Sequence, residues 1–400
     1  MVLTRALIST VVIAIGVFYQ LALQPILFNR FGVGRSVEAI NNQNCEIIKE
    51  LEACEDAWYH QPSGLLYLGC STVANKRAWL PNADFFSHEK LTGSEYMAIL
   101  DTKATGPYSS RIKRIQTQNF QGHDGKGTLL LHGIGAFVGK DGLGGNAEDQ
   151  SLRLFLINHR VQADPHIHGA NSTVELFETT LGSDTMTHIK TFAHPHIFTP
   201  NNLVPTGPES FYFTNDHSVK KGWQKQLDLI IPGSGIGHCD AKGCKMVIEK
   251  TLYPNGLAGA LNYPSKEANV LYQASTTEEF VYSYEIQADK SLILKDKIRS
   301  GYPGDNINMA SDGSLVLAAF AKLLTTAEGF STKDPNHVVP STVVRISKNQ
   351  GKDAFYGNKY NVEKLFEDDG NVVSFQTNAQ LDSQRNLLFL SGAYSVSCGY

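Results

Sequence analysis

The side chains in this sequence with the clearest chemical potential are oxygen donors, and most come in adjacent pairs: Glu55-Asp56, Asn201-Asn202, Asn215-Asp216 and Asp305-Asn306, with Asn255 beside Gly256. A hard divalent cation such as calcium takes roughly six to eight oxygens from carboxylates, amides and main-chain carbonyls. Loops carrying these residues could supply them if the fold made them converge. Taken singly, Asn and Asp next to Gly are ordinary turn residues. The histidines divide into solitary ones, His132 and His159 among them, and two His-x-His pairs, His166/His168 and His194/His196. Both pairs lie in Pro-containing, loop-like sequence, which reads as surface or loop packing. No Gly-x-Ser-x-Gly elbow is present, which argues against a serine α/β-hydrolase. Gly139–Gly145 lacks the Lys-Ser/Thr ending of a phosphate loop, so its glycines read as an insertion.

The elements that must position these groups read as strands. Beyond residue 60 come short runs rich in Val, Ile, Leu, Phe and Tyr: Gly64–Cys70, Thr128–Val138, Leu152–Asn158, Ser172–Glu178, Phe211–Thr214, Val270–Ala274, Phe280–Ile286, Ser314–Phe320, Thr342–Ile346 and Leu387–Ser391. Turn signals, Asp312-Gly313, Asp369-Gly370 and Asn255-Gly256, are expected between runs, as antiparallel meanders require. Alternation is imperfect, because several runs are apolar on both faces. Many short strands without βαβ spacing argue for a propeller, a barrel or stacked sandwiches. Size favours the propeller: six four-stranded blades at about 15 residues per strand need about 360 residues. The stretches 139–150, 161–170 and 320–340 read as loops or insertions that would shape specificity.

Composition is that of a folded globular chain: 400 residues, 42% hydrophobic and 18% charged, with 35 Gly and 15 Pro for turns. The net charge is -4 and no basic stripe occurs, so nucleic acid is not an expected partner. The N-terminus stands apart. Ala6 to Phe28 carries no charge and is flanked by Arg5 and Arg30, which approaches the roughly 20 apolar residues that cross a bilayer. Residues 1–35 therefore read as a signal anchor or a cleaved signal, and residues 36–400 as one domain in the secretory pathway, membrane-anchored or extracellular. A buried core helix is the competing reading, disfavoured because the segment has no polar face. Six cysteines suit an oxidising compartment. A Cys45–Cys398 bridge would staple the two ends of the domain, Cys239 and Cys244 could bridge across a hairpin, and Cys54 and Cys70 remain as a third pair. No CxxC pair supports a zinc site. Asn171-Ser172-Thr173 is the sole N-glycosylation sequon and is expected in a surface loop.

The ordered set of short motifs resembles one family. Asn44-Cys45-Glu46, Glu55-Asp56, His132-Gly133-Ile134, Ile157-Asn158-His159 and Ser172–Phe177 are followed by Gly207–Tyr212, Thr214-Asn215-Asp216-His217, Asn255-Gly256, Asp305-Asn306-Ile307 and Cys398. In order and spacing these resemble the serum paraoxonase/arylesterase family over roughly residues 40–400. The resemblance implies an all-β, six-bladed β-propeller carrying an N-terminal hydrophobic anchor helix, its ends tied by Cys45–Cys398, with two calcium ions in a central tunnel. It implies a catalytic calcium held by Glu55, Asn201, Asn255, Asp305 and Asn306. A structural calcium would be held by Asp56, the Ile134 carbonyl and position 202, where the family has Asp and this chain has Asn202. One carboxylate charge is therefore missing from the second site, and weaker binding or a different ligand set is expected there.

The activity implied is calcium-dependent hydrolysis of lactones and aryl esters, with organophosphates as a side activity. A bound divalent ion can polarise a carbonyl and stabilise the oxyanion that forms as water attacks. The attacking water needs a base; the family pattern points to His132, supported by His159. Two other readings compete: a non-catalytic, calcium-stabilised propeller acting as a membrane-tethered binding module, and a propeller enzyme of the strictosidine-synthase or gluconolactonase kind. The apolar N-terminal segment could hold the protein at a lipid surface close to hydrophobic lactones.

Overall fold

The computed structural model describes residues 2–139, 150–259, 269–332, 334 and 337–399. Most of the 139–150 insertion, and positions 333, 335 and 336 of the 320–340 stretch, lie outside the described residues. The fold is all-β and propeller-like. Three sheets are contiguous in sequence and contain four antiparallel strands each, running Pro200–Thr251, Pro254–Arg299 and Gly304–Asp368. A fourth pairs the first strand, Glu46–Glu52, with Val396–Gly399, Leu387–Ser391 and Asn378–Asp382, so the two ends of the chain share one sheet. The Cys45–Cys398 disulfide lies on that closure, Ile47 pairing with Cys398. Apart from a two-stranded pair, Trp79–Leu80 with Phe85–Phe86, the remaining sheet among the described residues has eight strands. It consists of two antiparallel four-stranded halves, Asp56–Gln118 and Leu131–Phe192, joined where Thr185–Thr187 runs parallel to Gln116–Gln118.

The strand runs expected from sequence all form, with ends shifted by up to three residues; Phe280–Ile286 and Leu387–Ser391 match to the residue. Their two-sided apolarity has a structural cause. Each sheet packs one face on the sheet before it and the other on the sheet after it, so neither face is solvated. Val270, Tyr272, Val281 and Ile298 of one sheet interlock with Leu315, Leu317, Val344 and Ile346 of the next. The other face of that next sheet supplies Val316, Val343 and Phe366 to a core with Ala379, Leu381, Leu388 and Leu390.

The innermost strands form a closed ring in the order Asp56–His60, Leu131–Val138, Pro200–Gly207, Pro254–Gly259, Gly304–Met309 and Asn378–Asp382, the last returning to the first. Two of these contacts depend on glycine. A Cβ on Gly133 would stand 2.3 Å from the Asn201 carbonyl oxygen, and one on Gly256 would stand 2.5 Å from the Ile307 nitrogen, so neighbouring backbones approach more closely than any larger residue allows. This corrects the expectation of a turn at Asn255-Gly256. Those residues lie inside the strand Pro254–Gly259, and the glycine serves backbone packing.

Cys54–Cys70 and Cys239–Cys244 complete the disulfides. Asn171 begins the strand Asn171–Thr180, against the expectation of a loop; its neighbour Ser172 bonds His159 and Thr173 is fully buried. The N-terminal helix Val2–Phe18 continues through Tyr19–Leu23 and Pro25–Arg30. Arg5–Arg30 is long and apolar enough to cross a membrane and is not buried against the propeller. Its end is docked: Arg30 pairs with Glu278 at 3.4 Å, and Arg35 donates to the carbonyls of Gly301 and Ala321.

Candidate active site and metal centre

Glu55-Asp56, Asn201-Asn202, Asn255-Gly256 and Asp305-Asn306 sit where the inner strands begin, while Asn215-Asp216 lies at the end of the strand Ser210–Asn215. Pairing registers break between Leu131 and Ile134, Pro200 and Leu203, Pro254 and Leu257, and Gly304 and Ile307, which places His132-Gly133, Asn201-Asn202, Asn255-Gly256 and Asp305-Asn306 in β-bulges. In a regular strand consecutive side chains point to opposite faces. A bulge adds local twist and re-aims them, so both members of a pair can face the axis. The members then divide between two cavities. Glu55, His132, Asn201, Asn255 and Asp305 line one of about 470 Å³, while Asp56, Ile134 and Asn202 line another of about 340 Å³.

Asn306 lies between the two sets. Its amide donates to the Glu55 carboxylate at 3.2 Å and its oxygen accepts from Asn202 at 2.9 Å. Asn201 turns its amide nitrogen to Asp216 at 3.2 Å, which leaves its oxygen free, and Asn255 donates to Thr276 at 2.9 Å. The result is a set of buried oxygens without hydrogen-bond partners: Glu55 Oε2, Asn201 Oδ1 and Asn255 Oδ1. Such orphans are rare in native proteins and call for an explanation.

The carboxylates point the same way. Burial, with Asp56 and Asp305 nearby, pushes the Glu55 carboxyl well above its usual range. Burial raises Asp305 to about 8, and raises Asp56 to about 7 against hydrogen bonds from Ile134 and Ala57. Glu55 and Asp305, this reluctant to ionise and lining one cavity with orphaned amide oxygens, match the donor chemistry of a hard cation that would supply the missing positive charge. Among the described residues there is no cluster of three or more His, Cys, Asp or Glu arranged to hold a metal; the orphaned oxygens here belong to two amides and one carboxyl. Asp56, Ile134 and Asn202 are different, because their polar groups already bond one another.

His132 stands 3.8 Å from Glu55, and its ring meets His159 edge-on with centroids 5.1 Å apart. His159 does not line the larger cavity; it sits beside His132 and bonds Ser172 Oγ through Nδ1 at 2.8 Å. Burial lowers His132 to about 3 and His159 well below the usual histidine value, with the Lys76 charge adding to both effects. Both rings are thus neutral at pH 7. Lys76 is itself buried and paired with Glu95 at 2.9 Å. His166 and His168 are exposed on the short helix Pro165–His168, and His194 and His196 contact each other in a loop with tilted rings, 5.0 Å between centroids, as expected of surface or loop packing.

Sequence reasoning missed part of the cavity. Asp216 bonds His217 at 2.6 Å and also accepts from Asn82 and Asn201, and the His217 ring packs on Tyr253. Burial opposes ionisation of Asp216, yet His217, Lys225 and Asn82 together hold its carboxyl below the ordinary range. The Thr214-Asn215-Asp216-His217 motif carried the signal, but nothing in its spacing separates Asn215 from Asp216. Asn215 turns away to tie down the main chain of Phe198 and Thr199. Part of the cavity's apolar wall, Leu323, Leu324 and Phe330, comes from the 320–340 stretch, which was expected as a loop and forms the short helix Leu323–Ser331; Leu80, and Phe31 from the segment after the N-terminal helix, carried no signal.

Known proteins resemble this chain at the level of sequence. A family model described as Arylesterase matches residues 36–397. A chicken (Gallus gallus) protein named serum paraoxonase/arylesterase 2 is 26% identical over 302 residues, covering 74% of this chain and 75% of its own. A rabbit (Oryctolagus cuniculus) protein named serum paraoxonase/lactonase 3 is 24% identical over 355 residues, covering 88% of each. Among solved structures, a gluconolactonase from Xanthomonas campestris aligns with a TM-score of 0.46 at 11% identity over 90% of each chain.

Proposed function

This chain belongs to the arylesterase family, and from that membership we propose that it is a calcium-dependent hydrolase of lactones and aryl esters, with organophosphates as a side activity. The observation that carries the reading is the convergence of Glu55 Oε2, Asn201 Oδ1 and Asn255 Oδ1, all buried and unpartnered, with Asp305 beneath a cavity large enough for a small ester. Glu55, Asn201, Asn255 and Asp305 would hold calcium, joined by Asn306, whose oxygen keeps one lone pair after accepting from Asn202. When bound, the ion supplies polarisation of the substrate carbonyl and charge stabilisation for the oxyanion.

The chain's own groups do the rest. His132, neutral and with an unpartnered ring nitrogen, accepts the proton of an attacking water. The depth of its burial makes it a weak base on its own; Asp216, whose carboxyl is held below the ordinary range, favours the imidazolium once it forms. His159, oriented by Ser172, stands behind it as the positioning partner. Leu80, Leu323, Leu324 and Phe330 offer an apolar surface to the acyl or lactone chain.

We read the eight-stranded sheet as two blades fused along an edge, which with the four four-stranded sheets makes a six-bladed propeller over residues 36–400. The apolar helix and three disulfides favour a secreted or membrane-anchored protein, residues 1–35 forming the anchor or signal and Asn171 a glycosylation candidate. Phe31, following the helix, lines the cavity, so a lipid surface holding the helix would lie near the site.

The test is hydrolysis of a panel of lactones and aryl esters with and without a calcium chelator. Turnover is expected on several of them and should vanish with the metal. Activity that persists after complete metal removal, or none toward any member, overturns the proposal.

A further inference from the structure

The second oxygen set differs from the first in one respect: neither its Asp56 nor its Asn202 side chain leaves an oxygen without a partner. Asp56 receives four hydrogen bonds. The Ala57 N–H at 2.8 Å and the Asn378 amide at 3.1 Å reach Oδ1, and the Ile134 N–H at 2.8 Å and the Asn202 amide at 3.0 Å reach Oδ2. The same Asn202 nitrogen also donates to Asn306 at 2.9 Å. Which way the Asn202 amide points is decided by its other end. Its oxygen accepts from the Leu257 N–H at 3.1 Å, and reversing the amide would set an NH₂ against that N–H and an oxygen against the Asp56 carboxylate. The residue is clamped in place as well, because its main-chain N–H bonds Thr214 and the Gly133 backbone packs on its Cα. A nitrogen with two protons therefore occupies the direction from which a cation would meet Asp56.

We propose that the Asn202 amide takes the place of a second calcium ion, so that the chain binds one calcium at the Glu55 set and holds its central ring together at the Asp56 set by hydrogen bonds alone. The inference rests on the calcium reading of the first site. Charge supports it. Two facing carboxylates at positions 56 and 202 would need a divalent ion to coexist in a buried place, whereas the single carboxyl of Asp56 is already met by four hydrogen-bond donors. A calcium ion added here would bring excess positive charge into the interior and displace the Asn202 donor. The two sites answer the same question in opposite ways: orphaned oxygens at the first, complete pairing at the second.

Metal content decides it. The full-length chain, stripped with chelator and dialysed against a defined free calcium concentration, is analysed by elemental mass spectrometry and titrated by calorimetry. One ion per chain is expected, lost in Glu55→Gln and retained in Asp56→Asn. Asn202→Asp should bind two, and its melting temperature should fall below that of the parent protein in chelator and recover with calcium. Two ions in the unmodified chain would overturn this inference and leave the hydrolase reading intact. A single ion that survives Glu55→Gln and is lost in Asp56→Asn would place it at the wrong site and overturn the inference too. No bound ion would overturn both readings. The count in the unmodified chain remains decisive even if a variant fails to fold.

Discussion

His132 shows how a residue's chemistry is set by what surrounds it. As an isolated histidine it would titrate near neutrality and need no partner. In the fold it is buried, pushed down to about 3, close to Glu55 and packed against His159. The role proposed for it as proton acceptor predicts that His132→Gln lowers ester or lactone turnover by roughly 10²-fold or more while the protein stays folded. Steady-state kinetics with circular dichroism as the folding control checks this. Unchanged kcat would remove His132 from proton transfer and leave the metal reading untouched.

Among elements, the inner strands owe their function to a defect in their own regularity. A perfectly alternating strand would give the axis one residue of each pair; the bulges at Asn201-Asn202 and Asp305-Asn306 give it both. The same strands must lie unusually close, which is the task of Gly133 and Gly256. Gly133→Ala should therefore destabilise the fold by about 1–3 kcal/mol, since its Cβ meets main chain that cannot rotate away. It should also reduce activity, because Asn201 and His132 are then pushed apart. Gly93→Ala, where a Cβ would meet nothing within 4 Å, is the control and should be neutral in thermal denaturation and in assay. Equal behaviour of the two variants would mean that the ring tolerates wider spacing than its geometry implies.

At the scale of the whole molecule, a ring of sheets has one seam, and it lies where Glu46–Glu52 pairs with Val396–Gly399. Cys45–Cys398 spans 353 residues of sequence, so its loss frees far more of the unfolded chain than loss of Cys239–Cys244, which spans five. Loop-closure entropy puts the two at about 6 against about 2 kcal/mol as upper figures. The Cys45→Ser/Cys398→Ser pair should melt well below the Cys239→Ser/Cys244→Ser pair under identical conditions. The opposite order would show that sheet pairing holds the seam without the covalent tie.

What the sequence determined by itself was local. Strand positions follow from short apolar runs and turn residues, and a run such as Phe280–Ile286 carries its own signal whatever it packs against. The cysteine positions and the ordered motifs likewise identified the ends of the ring, the oxygen donors and the histidine pair. Tertiary structure decided which donors were free. Asn201 and Asn202 are neighbours of identical chemistry, yet one oxygen is orphaned in the larger cavity while the other is consumed by the Leu257 N–H. Asp216 differs from Asn215 in the same way, one facing the cavity and one latching a loop. No local pattern encodes that division, because it depends on partners up to hundreds of residues away that meet only once the ring has closed.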